Sequence, residues 1–181
     1  MRLFVGLEIP EEVRAKLSEL LDRLRPAARL RWSPVANLHI TTKFIGEWPK
    51  ERLSEMKTAL DQVTGEPVPI AIRGLGWFPN PHQPRVFFAS VRAPATLVAL
   101  AAQTAEAVAA LGVLKETRDY SPHMTLARIP APSSIIELRR RVAALPSDDF
   151  GSFTATEFHL YRSQPVPGGS AYSKLATFPI E

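Results

Sequence analysis

The 181-residue chain contains no cysteine. That excludes disulfide bridges and thiolate metal centres and suits a reducing compartment. It also lacks any apolar run long enough to span a bilayer. Its first residues, Met1-Arg2-Leu3-Phe4-Val5-Gly6-Leu7-Glu8, meet an acid before a secretory core could form. A soluble, cytoplasmic protein with no membrane partner is therefore expected. Excess charge is small: the formal net charge is +4 and the pI about 9.7. This balance suits a polyanionic partner but equally a basic surface kept for solubility. Apolar residues make up 45% of the chain, too many for a disordered segment. The length fits one domain, 1–181, or two tightly joined lobes.

What the chain does have is one short phrase written twice, His39-Ile40-Thr41 and His123-Met124-Thr125. Each lies in a β-like run, Leu38 to Gly46 and Ser121 to Ile129. Alternate residues of a strand share a face, so His39 sides with Thr41 and His123 with Thr125. Two imidazoles with two hydroxyls suit a small anion, the imidazoles moving protons and the hydroxyls holding oxygens. Lys43 shares the parity of His39 and is a further candidate contact. Strict alternation sets Arg128 on the face opposite His123, although its planar fork suits a phosphate. Arg118 and Tyr120 approach the second motif from a turn, and Tyr120 could stack on a base.

The elements around the two phrases repeat. Arg2 to Ile9 reads as a buried strand. Glu11-Glu12 then opens a helix whose stripe is Val13, Leu17, Leu20, Leu21 and Leu24, with acids where the helix dipole favours them. The first His strand follows, then a helix through Leu53, Met56, Leu60 and Val63, and a strand from Val68 to Phe78 that is bent at Gly74 and Gly76. The pattern restarts with a strand at Arg85 to Val91 and a helix marked by Leu97, Leu100, Thr104, Val108 and Leu111, with Gly112 at its end. After the second His strand, Ser133 or Ser134 should cap a helix through Ile135, Leu138, Val142 and Leu145. Phe153 to Tyr161 reads as a single strand, Gln164 to Gly169 as a loop, and Ala171 to Phe178 as a last strand. The interval from Leu3 to His39 nearly equals that from Arg85 to His123. An internal duplication with lobes at 1–80 and 85–181, free to exchange strands, accounts for this. A site would then lie in the groove between them.

His-Ile-Thr-Thr-Lys-Phe-Ile-Gly at 39–46 and Pro-His-Met-Thr-Leu-Ala-Arg at 122–128 resemble the paired signatures of the 2H phosphoesterases. The closest likeness is to the RNA 2′,3′-cyclic phosphodiesterases, also called 2′-5′ RNA ligases. Phe4-Val5-Gly6-Leu7, Arg31-Trp32-Ser33-Pro34 and Leu160-Tyr161-Arg162-Ser163 extend the likeness over the chain. It departs from the commoner motif at Thr42 and Met124, both on the strand face opposite the histidine. The resemblance implies an α+β, bilobal fold: two pseudo-symmetric repeats of antiparallel sheet with outer helices. It also implies hydrolysis of RNA terminal 2′,3′-cyclic phosphates to 2′-phosphates by a metal-free mechanism; a monomer with no cofactor is expected. It suggests His39 as the acid for the 3′ oxygen and His123 as the base for water; Thr41 and Thr125, by position and type, and Arg128, from the flank of the second motif, are the candidate phosphate contacts.

Chemistry argues in the same direction. Opening a cyclic phosphodiester needs a base for water and an acid for the departing oxygen, and donors for the developing charge. His82, in a proline-rich loop, reads as solvated. His159 should face away from the side that Phe158 and Leu160 bury. A zinc site needs three or four converging ligands, and nothing near either motif supplies them. No nucleotide-triphosphate loop or lysine-adenylation motif is present, so any ligation would be the hydrolytic chemistry reversed. The partners expected are RNA ends or small cyclic nucleotides. The competing reading is a nucleotide- or RNA-binding module without turnover, which would have no need for two proton carriers.

Overall fold

A computed structural model describes residues 1–92 and 94–181. Its strands are β1 (Arg2–Glu8), β2 (Arg31–Trp32), β3 (His39–Glu47), β4 (Val68–Phe78), β5 (Val86–Arg92), β6 (His123–Arg128), β7 (Asp149–Ala155), β8 (Glu157–Val166) and β9 (Gly169–Pro179). The helices are α1 (Glu11–Leu24), α2 (Leu53–Asp61), α3 (Ala95–Ala109) and α4 (Ile136–Ala143). Each half of the chain thus runs strand, helix, His strand, helix, strand.

Two sheets form, ordered β3-β1-β8-β9 and β2-β6-β5-β4-β7, with every paired strand antiparallel. The fold is α+β and two-lobed. The halves trade elements reciprocally. β4, from the first half, lies beside β5, and β8, from the second, lies beside β1. Helices trade as well: α1 packs on β7 and α4, while α3 packs on β3 and α2. The stripe of α1 supplies the reason, since Val13, Leu17, Leu20, Leu21 and Leu24 are all buried and need an apolar sheet face to cover.

Three local expectations are corrected. Phe153 to Tyr161 is not one strand: the chain passes from one sheet to the other at Thr156, between β7 and β8. There two exposed polar residues, Thr156 and Glu157, interrupt the alternation between buried Ala155 and buried Phe158. Gln164 to Gly169 is not a loop, because β8 and β9 pair down to Val166 opposite Gly169. Pro165 is tolerated since β8 has passed its last partner on β1, Ser163 opposite Arg2, so its missing N–H faces no ladder. Neither Ser133 nor Ser134 caps α4, which starts at Ile136 with no side-chain cap. The hydroxyl of Ser133 instead bonds the Pro130 carbonyl.

Candidate active site

β3 and β6 approach one another between the lobes, and both strands carry the same irregularity. Thr41 lies opposite Gly6 and Lys43 opposite Val5, so Thr42 is an extra residue in the ladder. Thr125 lies opposite Phe88 and Ala127 opposite Phe87, so Leu126 is the extra residue there. A bulge of this kind inverts the alternation beyond it. Burial follows: Thr42 and Lys43 are both buried, as are Leu126 and Ala127, and Phe44 and Arg128 come out exposed.

The inversion settles two placements that alternation had assigned the other way. Lys43 leaves the face of His39. It is 4% exposed, and its ammonium donates to the Leu114 carbonyl at 2.8 Å and to Glu116 at 3.3 Å. It is a tether for the segment ahead of the second motif, not a free cation in the groove. Arg128 joins the face of His123 and Thr125. Arg118 is exposed in the turn.

The two imidazoles are held alike. His39 Nδ1 lies 2.7 Å from the Asn37 carbonyl and His123 Nδ1 lies 2.9 Å from the Ser121 carbonyl. A carbonyl only accepts, so both Nδ1 atoms carry hydrogen and both Nε2 atoms are left as the working nitrogens. Around them the two sites differ. His39 Nε2 takes a hydrogen bond from the Thr41 hydroxyl at 2.8 Å. Its ring sits among Phe4, Tyr172 and Tyr161, with centroids at 4.7, 5.3 and 6.1 Å. Gly6 lets β3 come this close to β1, because a Cβ there would stand 2.7 Å from the Ile40 carbonyl oxygen, whereas His39 Cδ2 would be in ordinary contact at 3.5 Å. Burial pushes the pKa of His39 below 6.5 and the charge of His123 adds to this, while the Asn37 carbonyl pulls it back up. His123 instead meets the edges of Phe78 and Phe88 at 5.1 and 5.6 Å.

Each motif is pinned by a hydroxyl from the segment leading into the other. The Tyr120 hydroxyl donates to the Thr41 carbonyl at 2.8 Å, and Ser33 Oγ donates to the Thr125 carbonyl at 3.0 Å. Burial raises the Tyr120 phenol, so it stays a donor. Tyr120 is therefore a brace between the motifs. The aromatic wall of Phe4, Tyr161 and Tyr172 was not singled out from the sequence. Its only signal is that Phe4 and Tyr161 lie in the flanking segments of the family likeness, on neighbouring strands.

Of the other two histidines, His159 lies across β1 from Thr41, both opposite Gly6, with its ring 5.7 Å from Tyr161. His82 is in the exposed loop. His159 takes the face opposite Phe158 and Leu160 but is 1% exposed. Its Nδ1 lies 3.0 Å from the Thr177 hydroxyl, and Glu8 and Glu157 each stand 3.9 Å from its Nε2.

Residues 7–88 and 90–172 each match the family described as LigT like Phosphoesterase. The chain is 32% identical over 178 residues to an RNA 2′,3′-cyclic phosphodiesterase of Archaeoglobus fulgidus, covering 98% of this chain and 99% of that one. It is 33% identical over 188 residues to the enzyme of the same name from Thermus thermophilus, covering 99% and 90%. Among solved structures, TT0787 of Thermus thermophilus superposes with a TM-score of 0.79 at 32% identity, over 99% of this chain and 98% of that one. E. coli LigT complexed with 3′-AMP shares the fold, with a TM-score of 0.79 at 23% identity over 99% and 97%. The chain therefore belongs to the LigT-like phosphoesterases of the 2H superfamily. Within them it is a hydrolase that groups with the RNA 2′,3′-cyclic phosphodiesterases.

Proposed function

We propose that this protein hydrolyses the terminal 2′,3′-cyclic phosphate of RNA to a 2′-phosphate by acid–base catalysis between His39 and His123. One observation carries the reading. Two imidazoles in equivalent strand positions are each locked by a backbone carbonyl at Nδ1, so each offers Nε2 beside a threonine. His123 takes the proton of the attacking water. His39 gives a proton to the departing 3′ oxygen. The lowered pKa leaves His39 largely neutral at rest, so the acid role requires the arriving phosphate anion to raise it and load the proton on Nε2. Thr41 and Thr125 hold the non-bridging oxygens, and Arg128, farther along the same face, adds positive charge to the groove without touching that phosphate. Water on the incoming side gives hydrolysis; a ribose hydroxyl in its place gives 2′-5′ ligation by the same groups.

No step in this scheme calls for a Lewis acid. An oligonucleotide ending in a 2′,3′-cyclic phosphate should yield the 2′-phosphate at the same rate with and without EDTA. Complete loss with EDTA, restored by a divalent ion, would overturn the scheme. Tight binding without any product would favour a binding module.

A further inference from the structure

Resting on that reading of the groove, we propose that Arg31 binds the internucleotide phosphate on the 5′ side of the terminal nucleotide. The enzyme would then select the end of an RNA chain over a free nucleoside 2′,3′-cyclic phosphate. The argument begins at β2, a strand of two residues at the edge of its sheet. Its second residue, Trp32, turns inward: its ring meets Phe87 edge-on at 6.2 Å and its indole N–H donates to the Ala28 carbonyl at 3.1 Å. Phe87 is fully buried. The neighbouring Arg31 must leave by the other face.

Arg31 lies directly opposite Arg128 in the ladder, and residues directly opposite share a face. The bulge at Leu126 has already set Arg128 on the face of His123 and Thr125. Both arginines are exposed. Among the described residues neither has a carboxylate within 4.0 Å. Like charges directly opposite each other repel, and a two-residue strand gives little ladder to offset that. An anion lying between the two forks removes the repulsion and gains charge-assisted hydrogen bonds.

The position of the pair identifies that anion. His39, Thr41, His123 and Thr125 already suffice for one phosphate. Arg31 stands beyond them, level with the end of β6, roughly 7–10 Å along the strand from Thr125. That offset matches a step along the ribose-phosphate backbone. A nucleoside 2′,3′-cyclic phosphate carries no second phosphate, whereas an RNA end always carries one at its 5′ oxygen.

The test compares three substrates: a nucleoside 2′,3′-cyclic phosphate, the same compound with a 5′-phosphate, and a dinucleotide ending in the cyclic phosphate. The native enzyme should favour the last two in kcat/KM by roughly tenfold, the scale of one charged hydrogen-bonding contact. Arg31→Ala should abolish that preference through KM with kcat kept, and Arg31→Lys should restore part of it. Turnover of the bare nucleotide should stay unchanged, which also reports that the variant is folded. The salt slope on the dinucleotide should fall by about 0.7. Equal loss on all three substrates, or no loss on any, would overturn the proposal. If the native protein turned over none of them, the hydrolytic reading would fail on its own. The affinities of native protein and Arg31→Ala for a nucleoside 2′-phosphate, with and without a 5′-phosphate, would then still decide the role of Arg31. A difference confined to the 5′-phosphorylated compound supports it, and its absence rejects it.

Discussion

The two histidine strands repeat one design with different contents. Both have a carbonyl on Nδ1, a threonine two residues on, and a bulge three residues on. Matching positions then diverge. Opposite Thr41 stands Gly6, but opposite Thr125 stands Phe88. The extra residue of one bulge is Thr42 and of the other Leu126. The next is Lys43 against Ala127, and the exposed residue after that is Phe44 against Arg128. What stays equal is the part that sets imidazole orientation, and what differs is the surroundings. Both imidazoles have aromatic neighbours, but the first copy runs on into buried Lys43 and exposed Phe44, the second into exposed Arg128. A reaction that needs an acid and a base in opposite protonation states requires that kind of inequality.

The largest effects should come from removing the equal parts. His39→Ala and His123→Ala should each lower kcat by at least roughly 10³-fold, with the double variant little worse, because the pair acts as a unit. A better leaving group at the 3′ position should separate them, rescuing His39→Ala and leaving His123→Ala inactive. Rescue of His123→Ala instead would exchange the roles. Next in size, Thr41→Ala and Thr125→Ala should each slow turnover by roughly 10²–10³-fold, the scale of one lost oxyanion donor, with melting temperature nearly unchanged. Native-like turnover in both would place the hydroxyls outside the reaction.

A pH effect should report on the two buried histidines, His39 and His159. Burial holds His39 below 6.5, and burial lowers His159 in the same way. The folded chain therefore binds these protons less readily than the unfolded chain does. The stability at stake is complete above about 6.5 and is lost as pH falls through the lowered values. Urea midpoints should drop between pH 7.5 and 5.5, and less so in His39→Asn. An equal drop in that variant would assign the acid sensitivity elsewhere.

The smallest effect concerns the bulges alone. Thr42 Oγ1 is buried without a partner among the described residues, where the second copy has the apolar Leu126. Thr42→Val should stabilise the fold by about 1 kcal/mol, since an unsatisfied hydroxyl is removed at nearly constant volume. Thermal unfolding would measure it, and a fall in melting temperature would mean the hydroxyl has a partner after all.

The paired His-x-Thr phrases, the repeat and the order of helices and strands were legible because periodicity and spacing are local properties of the chain. The faces taken by Lys43 and Arg128 were not. A bulge is decided by register against β1 or β5, and nothing within Thr41-Thr42-Lys43 marks it. The burial of Lys43 depends on the Leu114 carbonyl and Glu116, brought in from a distant segment. The switch of sheets at Thr156 was hidden for the same reason: β7 and β8 are both good strands, and only their partners β4 and β1 separate them. The aromatic enclosure of His39 draws on three strands, so no window of sequence contains it.

The exchange of β4 and β8 between sheets has a consequence in time. During synthesis β1 emerges early and can pair with β3, but its other edge waits for β8, from near the opposite end of the chain. Until then the wall of Phe4 and Tyr161 beside His39 is incomplete, and the edge of β1 lies open to wrong partners. The second sheet also waits at one edge, for β7 on β4, but the strands that carry the neighbours of His123, β4, β5 and β6, come one after another in the chain. The histidine nearer the start of the chain is therefore the later of the two to receive its finished surroundings. In a refolding experiment, quenching of an indole probe placed at Tyr161 should lag behind the burial of Trp32 and Trp77 against Phe87.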